Sequence, residues 1–341
     1  MTFFSSWRTA LRIAAREARR AKGRSALVVA MIALPALALS FAAATYDMAT
    51  LTGAEKAART MGAADARIQW PSRQPVMQMP DPDDGWMSGA DPSLPPDASS
   101  AEVGSARTES RGEPDENDRP GTEADLRAVL PDSTVLPLRQ GFVTVQTPAG
   151  LGDSVGVMVD ATSPLTRGYV EVLAGRAPTA PGEVALTEPA MAWLDASIGG
   201  TVTVHVGQST RDFTVVGQVE FPWRLDRTLL FAYDDAATGE LFPASERSWF
   251  PASERSWLVD TPEPIGWDRV LELNEQGMVV ASWAVLIDPP PDEAVPLNQY
   301  WSSSGELVVT EELAVGVLVA GPALLEVVLL AGPAFAVGAR R

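Results

Sequence analysis

Two long, almost uncharged apolar segments stand near the two ends of this chain and constrain it more than any other feature. Ser25–Tyr46 (SALVVAMIALPALALSFAAATY) runs 22 residues without a charge. At ~1.5 Å of rise per residue such a helix covers a ~30 Å hydrocarbon core. Leu313–Val337 (LAVGVLVAGPALLEVVLLAGPAFAV) runs 25 residues with a single ionisable group, Glu326, and is long enough to span with some tilt. We expect a transmembrane helix at 25–46 and a second at 313–337. A cleaved signal peptide competes for the first, since Ala42-Ala43-Ala44 has the small residues of a cleavage site. Apolar cores of signal peptides run about 7–15 residues, however, and this one is longer. Pro35 falls near its middle and should kink it, as membrane helices tolerate when they pack against neighbours.

Charge is divided in the same way. Residues 1–24 hold seven basic groups and one acid, a net +6, and Arg340 and Arg341 close the chain with +2. Between them, 25–339 carries 17 basic and 43 acidic groups, so the overall −18 is the sum of two unlike regions. An acidic bulk disfavours nucleic acid as a partner. The positive-inside rule puts both termini, 1–24 and 338–341, in the cytoplasm of a bacterial cell and everything from about 47 to 312 outside. Within 1–24, Phe4, Trp7, Leu11, Ala14 and Ala18 recur at helical spacing, while Arg8, Arg12, Arg16 and Arg19 follow another stripe. This basic amphipathic helix either touches a cytoplasmic partner or anchors to anionic lipid of the bilayer. Trp7, Arg8, Leu11, Arg12, Arg16 and Arg19 are therefore the interface candidates. In the second span, Ala-Gly-Pro-Ala recurs at 320–323 and 331–334, about three helical turns apart, and Glu326 lies on the same stripe. A carboxyl group in a membrane is a functional candidate by default; a protonated Glu326 bonded to a carbonyl freed by a proline is the structural alternative.

The outside portion begins at 47–70, with helical composition over Asp47–Met61 and a short strand at Ala66–Trp70. Residues 71–124 hold nine prolines, twelve acids and few branched apolar residues, so we expect a disordered Pro-rich acidic loop. From 125 to 312 the pattern is that of a folded α+β core domain, a mixed sheet with few helices. Strands are expected at Val135–Thr147, Val155–Asp160, Gly168–Ala174, Glu183–Thr187, Thr201–Val206, Asp212–Glu220, Thr228–Tyr233, Trp257–Asp260 and Met278–Ile287, and helices at Glu123–Leu130, Pro189–Leu194 and Ile265–Gln276. Phe-Pro-Ala-Ser-Glu-Arg-Ser-Trp at 242–249 is repeated unchanged at 250–257, which reads as a duplication in a surface loop.

Enzymatic signatures are few. Cysteine is absent, which removes thiolate metal sites and cysteine nucleophiles. The only lysines, Lys22 and Lys56, stand in no phosphate-binding loop, so no ATP is hydrolysed through one here. Gly152-Asp153-Ser154-Val155-Gly156 matches a nucleophile elbow in letters, but that motif needs a strand, a turn and a helix, and the residues around it read as a hairpin turn and a strand. A secreted hydrolase using Ser154 would require Ser154→Ala to abolish esterase activity. His205, the single histidine, alternates with the inward valines Val202, Val204 and Val206 and is expected at the surface. We expect no catalytic residue, cofactor or metal site.

The order of these parts resembles bacterial FtsX-like ABC transporter permeases with a MacB-like periplasmic core domain. The resemblance rests on the Arg-rich entry Leu11–Ser25 (LRIAAREARRAKGRS), on Leu173–Val184 (LAGRAPTAPGEV), on Phe213–Gly217 (FTVVG) and on the exit Leu329–Arg340 (LLAGPAFAVGAR). It implies a permease subunit in a homo- or hetero-dimer, whose cytoplasmic face binds an ABC ATPase subunit and whose outside domain is moved by ATP-driven closure. Permeases of that family have further membrane helices, so the resemblance also implies a truncated product or fragment. A membrane-anchored extracytoplasmic receptor or sensor that needs no ATPase is the alternative of a different class.

Overall fold

The computed structural model describes residues 37, 40, 41, 51–88, 119–206, 209–233, 241 and 253–304. The expected spans, the basic segment 1–24 and residues 338–341 lie outside these, apart from Leu37, Ser40 and Phe41. Among the described residues no helix is long and apolar enough to cross a membrane. Contacts divide the chain into two units, and the one from Thr52 to Glu306 holds nearly all the described residues.

That unit is a mixed α+β domain dominated by one ten-stranded sheet. Its elements in order are α1 (Gly53–Met61), β1 (Ala66–Gln69), β2 (Val76–Gln78), β3 (Trp86–Ser88), α2 (Glu123–Val129), β4 (Thr134–Thr147), β5 (Gly150–Met158), β6 (Glu171–Gly175), β7 (Glu183–Leu186), α3 (Glu188–Leu194), β8 (Thr201–Val206), β9 (Ser209–Glu220), β10 (Thr228–Phe231), β11 (Ser253–Asp260), α4 (Trp267–Asn274), β12 (Val279–Ser282), α5 (Trp283–Ile287) and α6 (Pro296–Ser304). Helix α1 starts at a capping box: the Thr52 hydroxyl accepts from the Glu55 amide at 3.3 Å, and the Glu55 carboxylate accepts from the Thr52 amide at 3.0 Å.

Strands β4, β5, β10, β7, β9 and β8 follow one another by hydrogen bonding, and β8 returns to β4 at Thr144↔His205 and Val145↔Val204. The six strands therefore close into a small barrel. Inward residues of each strand, among them Val143, Val204, Val215, Leu229 and Phe231, fill it, and Ala190 and Leu194 of α3 join the same core. Strand β4 is long enough to leave the barrel at its N-terminal half. There it pairs with β11, which continues antiparallel to β1 and then β12 as an open wing. The wing's core is built on Ile68, Trp70, Trp257, Val270, Leu273 and Val280, with α2 and α4 laid over it. A third cluster, with Tyr169, Phe221, Leu138 and Leu258 at its heart, fills the opposite side of the sheet where barrel and wing meet.

Three expectations are corrected. Residues 71–88 do not belong to a structureless loop: β2 and β3 form a hairpin around a Pro82–Asp84 turn, and Val76, Met77 and Gln78 are buried. Long-range polar bonds order it in spite of its composition. Lys56 pairs with Asp81, and the Arg67 guanidinium reaches Asp83 at 2.9 Å. The Gln78 side chain acts as a peptide group toward the outer edge of β12, accepting from the Val280 amide at 2.8 Å and donating to the Val280 carbonyl at 2.9 Å. Residues 89–118 lie outside the described residues. Second, the apolar run Met278–Ile287 is not one strand; it breaks at Ser282, whose hydroxyl caps α5. Third, the second copy of the duplicated octapeptide is no surface loop over 253–257, because those residues enter β11 between β1 and β4 and bury Trp257 to 2% exposure. The first copy lies outside the described residues.

Candidate functional site

The interface candidates Trp7, Arg8, Leu11, Arg12, Arg16 and Arg19, and the intramembrane candidate Glu326, lie outside the described residues. The structure does place the two residues weighed for catalysis. Ser154 sits within the extended strand β5, paired with Val143, at 4% exposure. Its hydroxyl donates to the Arg227 carbonyl at 2.8 Å, so it is held by main chain and not presented on a turn. His205 is a half-exposed residue of β8 between Thr144 and Thr210. Among the described residues no trio of His, Asp or Glu side chains could hold a metal ion.

The segment Leu173–Val184 is a closed clamp between strands. Edge strand β6 ends at Gly175, whose φ of +71° and approach to the Val216 carbonyl leave no room for a Cβ. Arg176 then turns back onto Glu183, Nη1 to Oε2 at 2.8 Å with Nη2 closing the fork on Oε1. The same Oε2 accepts from the amides of Thr179 at 3.0 Å and Ala180 at 3.2 Å, so one carboxylate gathers the whole loop. The Arg176 fork, followed by those amides, pulls the Glu183 carboxyl down from its ordinary 4.5 to about 2. A carboxyl depressed on folding stabilises above its unfolded value, and that support fades as pH falls from about 4.5 toward 2. We expect the Thr179 and Ala180 amide resonances to titrate with a midpoint near 2, and the transition to vanish in Glu183→Gln. A midpoint near the ordinary glutamate value would show the loop to be unclamped.

A second surface was not singled out in the sequence. The loop Pro222–Arg227 (PWRLDR) connects β9 to β10 and fixes two guanidinium groups on tryptophans: Arg224 lies 4.1 Å from the Trp223 ring centre and Arg227 4.5 Å from that of Trp193. Trp223 is itself seated against Tyr169 and Phe221. Between the two cations Leu225 projects at 84% exposure, beside a cleft of about 370 Å³ that Phe142 also lines. The stacked Arg and Trp side chains beside this exposed tip are of the types enriched at protein-contact hot spots. The signal available beforehand was two arginines and a tryptophan around a lone leucine between strands; what hid it was that the stacking partner Trp193 comes from α3.

No family model and no curated protein matches this chain. Solved structures do. The extracellular domain of YknZ, a noncanonic ABC-type transporter from Gram-positive bacteria, aligns with a TM-score of 0.32 and 13% identity over 47% of this chain and 88% of that one. A domain ascribed to a permease protein of Porphyromonas gingivalis aligns with a TM-score of 0.31 and 12% identity over 47% and 80%. The first is the outside part of a transporter and the second a domain of a permease, and a likeness this slight carries no function across.

Proposed function

We propose that this chain is a membrane permease subunit of the FtsX-like ABC transporter type, with both termini cytoplasmic and the domain Thr52–Glu306 outside the cell. The order of parts carries the reading: a basic segment, an uncharged apolar segment long enough to span, an acidic folded domain, a second apolar segment and a terminal Arg340-Arg341. In this reading an ABC ATPase subunit binds at the cytoplasmic face near Trp7–Arg19 and drives motion of the outside domain. A second permease copy or another outside protein is met through surfaces such as the Leu225 tip. Glu326, in the second span, is in this reading the polar group that either a neighbouring helix or a proline-freed carbonyl would meet.

The absence of cysteine makes the topology directly testable. One cysteine is introduced at Ser5 and, separately, one at Ser209, which is exposed at the start of β9. Intact cells are then treated with a membrane-impermeant maleimide. Only the Ser209→Cys chain is expected to react, and labelling of Ser5→Cys would overturn the arrangement. Co-purification with an ATP-binding subunit separates a permease from an anchored receptor.

A further inference from the structure

Three of the chain's ten methionines lie on one face of the β2–β3 hairpin. Met77 and Met87 are direct cross-strand partners, and Met79, two residues beyond Met77, falls on the same side by the period of a strand. All three belong to one small cluster whose buried floor is Met77, Val295 and Leu297, with Trp267 and with Tyr300 and Trp301 of α6 packed around it. Met77 is 6% exposed, whereas Met79 and Met87 are half-buried, so the cluster has a dry floor and an accessible rim. The Trp301 indole stands over Gly85 at the hairpin's turn: a Cβ there would lie 3.2 Å from the ring's Cη2 and 4.0 Å from Met79 Cγ. The indole and the Met79 side chain therefore both border the hairpin's turn.

Opposed residues on a strand pair have Cβ atoms ~5 Å apart, and the flexible methionine arm lets sulfurs so placed converge. A dry contact between a hairpin and a helix is better specified by leucine or isoleucine than by three methionines. Neutral, polarizable thioethers instead select soft monovalent cations over zinc, calcium or magnesium. An indole face alongside adds attraction for a cation without adding charge.

We propose that Met77, Met79 and Met87 form a thioether site for Cu(I) or Ag(I), flanked by Trp301. The site stands independently of the membrane reading. Binding displaces no proton, because a thioether has none to lose, and so its strength stays flat from about pH 5 to 8, unlike that of a cysteine or histidine site.

The test titrates Ag(I) into the full chain in detergent, labelled with ¹³C at the methionine methyls. Three of the ten methyl signals are expected to move, saturating at one equivalent and equally at both ends of that pH range. The Met77→Leu/Met79→Leu/Met87→Leu chain should lose the response, and leucine for methionine costs little in packing. Should the triple variant not fold, each single replacement still removes one of the three shifting signals and weakens Ag(I) binding at least about ten-fold. No movement at equimolar Ag(I), shifts that survive the replacements, or the same shifts with Zn(II) would overturn the site.

Discussion

Replacing Trp257 by alanine is expected to destabilise the folded domain by about 4 kcal/mol, the middle of the range for removing a buried aromatic ring from a core. Trp257 lies on β11, between Ile68 of β1 and Pro137 of β4, at 2% exposure, and its ring joins the wing core with Trp70 and Val270. A domain of this size should lose roughly 2–4 °C of Tm per kcal/mol, so thermal unfolding should fall by about 10 °C. The duplication supplies a control. Excising 242–249 leaves a chain that still reads Phe-Pro-Ala-Ser-Glu-Arg-Ser-Trp before Leu258, delivering an unchanged strand to the sheet through a connection eight residues shorter. Its Tm should stay within about 2 °C, since shortening a connection between two strands changes little. A fall like that of the alanine variant would mean that the first copy contributes to the fold.

The second copy holds the strand because Leu258 and Val259 come directly after it. Sliding the first copy into the same register would set Pro251 at the position of Val259, which pairs with both Ala66 and Val135. A proline in an interior strand has no amide to give. Phe250 would also have to replace Leu258, which is fully buried.

Gln78→Leu should cost about 3 kcal/mol although the new side chain is apolar and of similar size. The Gln78 carboxamide bonds the Val280 amide, the Val280 carbonyl and Asn274 Nδ2, the last at 2.9 Å, and all three become unsatisfied and buried when it is removed. Each such orphan costs on the order of 1–3 kcal/mol, partly relieved for Asn274 by its bond to the Met278 carbonyl. Urea denaturation of the variant and of Gln78→Glu should both show the loss. A Gln78→Leu chain of unchanged stability would mean that water reaches the edge of β12.

How much is legible in the sequence depends on the reach of each interaction along the chain. Thr201–Val206 is legible to the residue because Thr and Val alternate there with nothing to compete. The capped start of α2 and the proline-marked start of α3 are legible within a residue, since Thr122 and Pro189 signal locally. Met278–Ile287 misleads because a continuous apolar run fits strand and helix alike, and only the Ser282 cap divides it. The β2–β3 hairpin is invisible for a different reason. Its composition is that of a solvated loop, and what orders it is a glutamine bonded to Val280 and aspartates bonded to Lys56 and Arg67. Barrel closure, resting on two residue pairs between β8 and β4, has no local signal at all. Of the candidate surfaces, the Arg176–Glu183 segment is visible as a resemblance, while the stacked arginines and the methionine face depend on partners distant in sequence.

The long strand β4 also has a mechanical meaning. The folded unit's two chain ends, α1 and α6, rest on the wing side: α1 against α5 and Ala281, α6 against the β2–β3 hairpin. The barrel is held to that side through β4 and the core beneath it. A pull on the ends is thus received by the wing, and it reaches the barrel only through the shared strand β4 and that core.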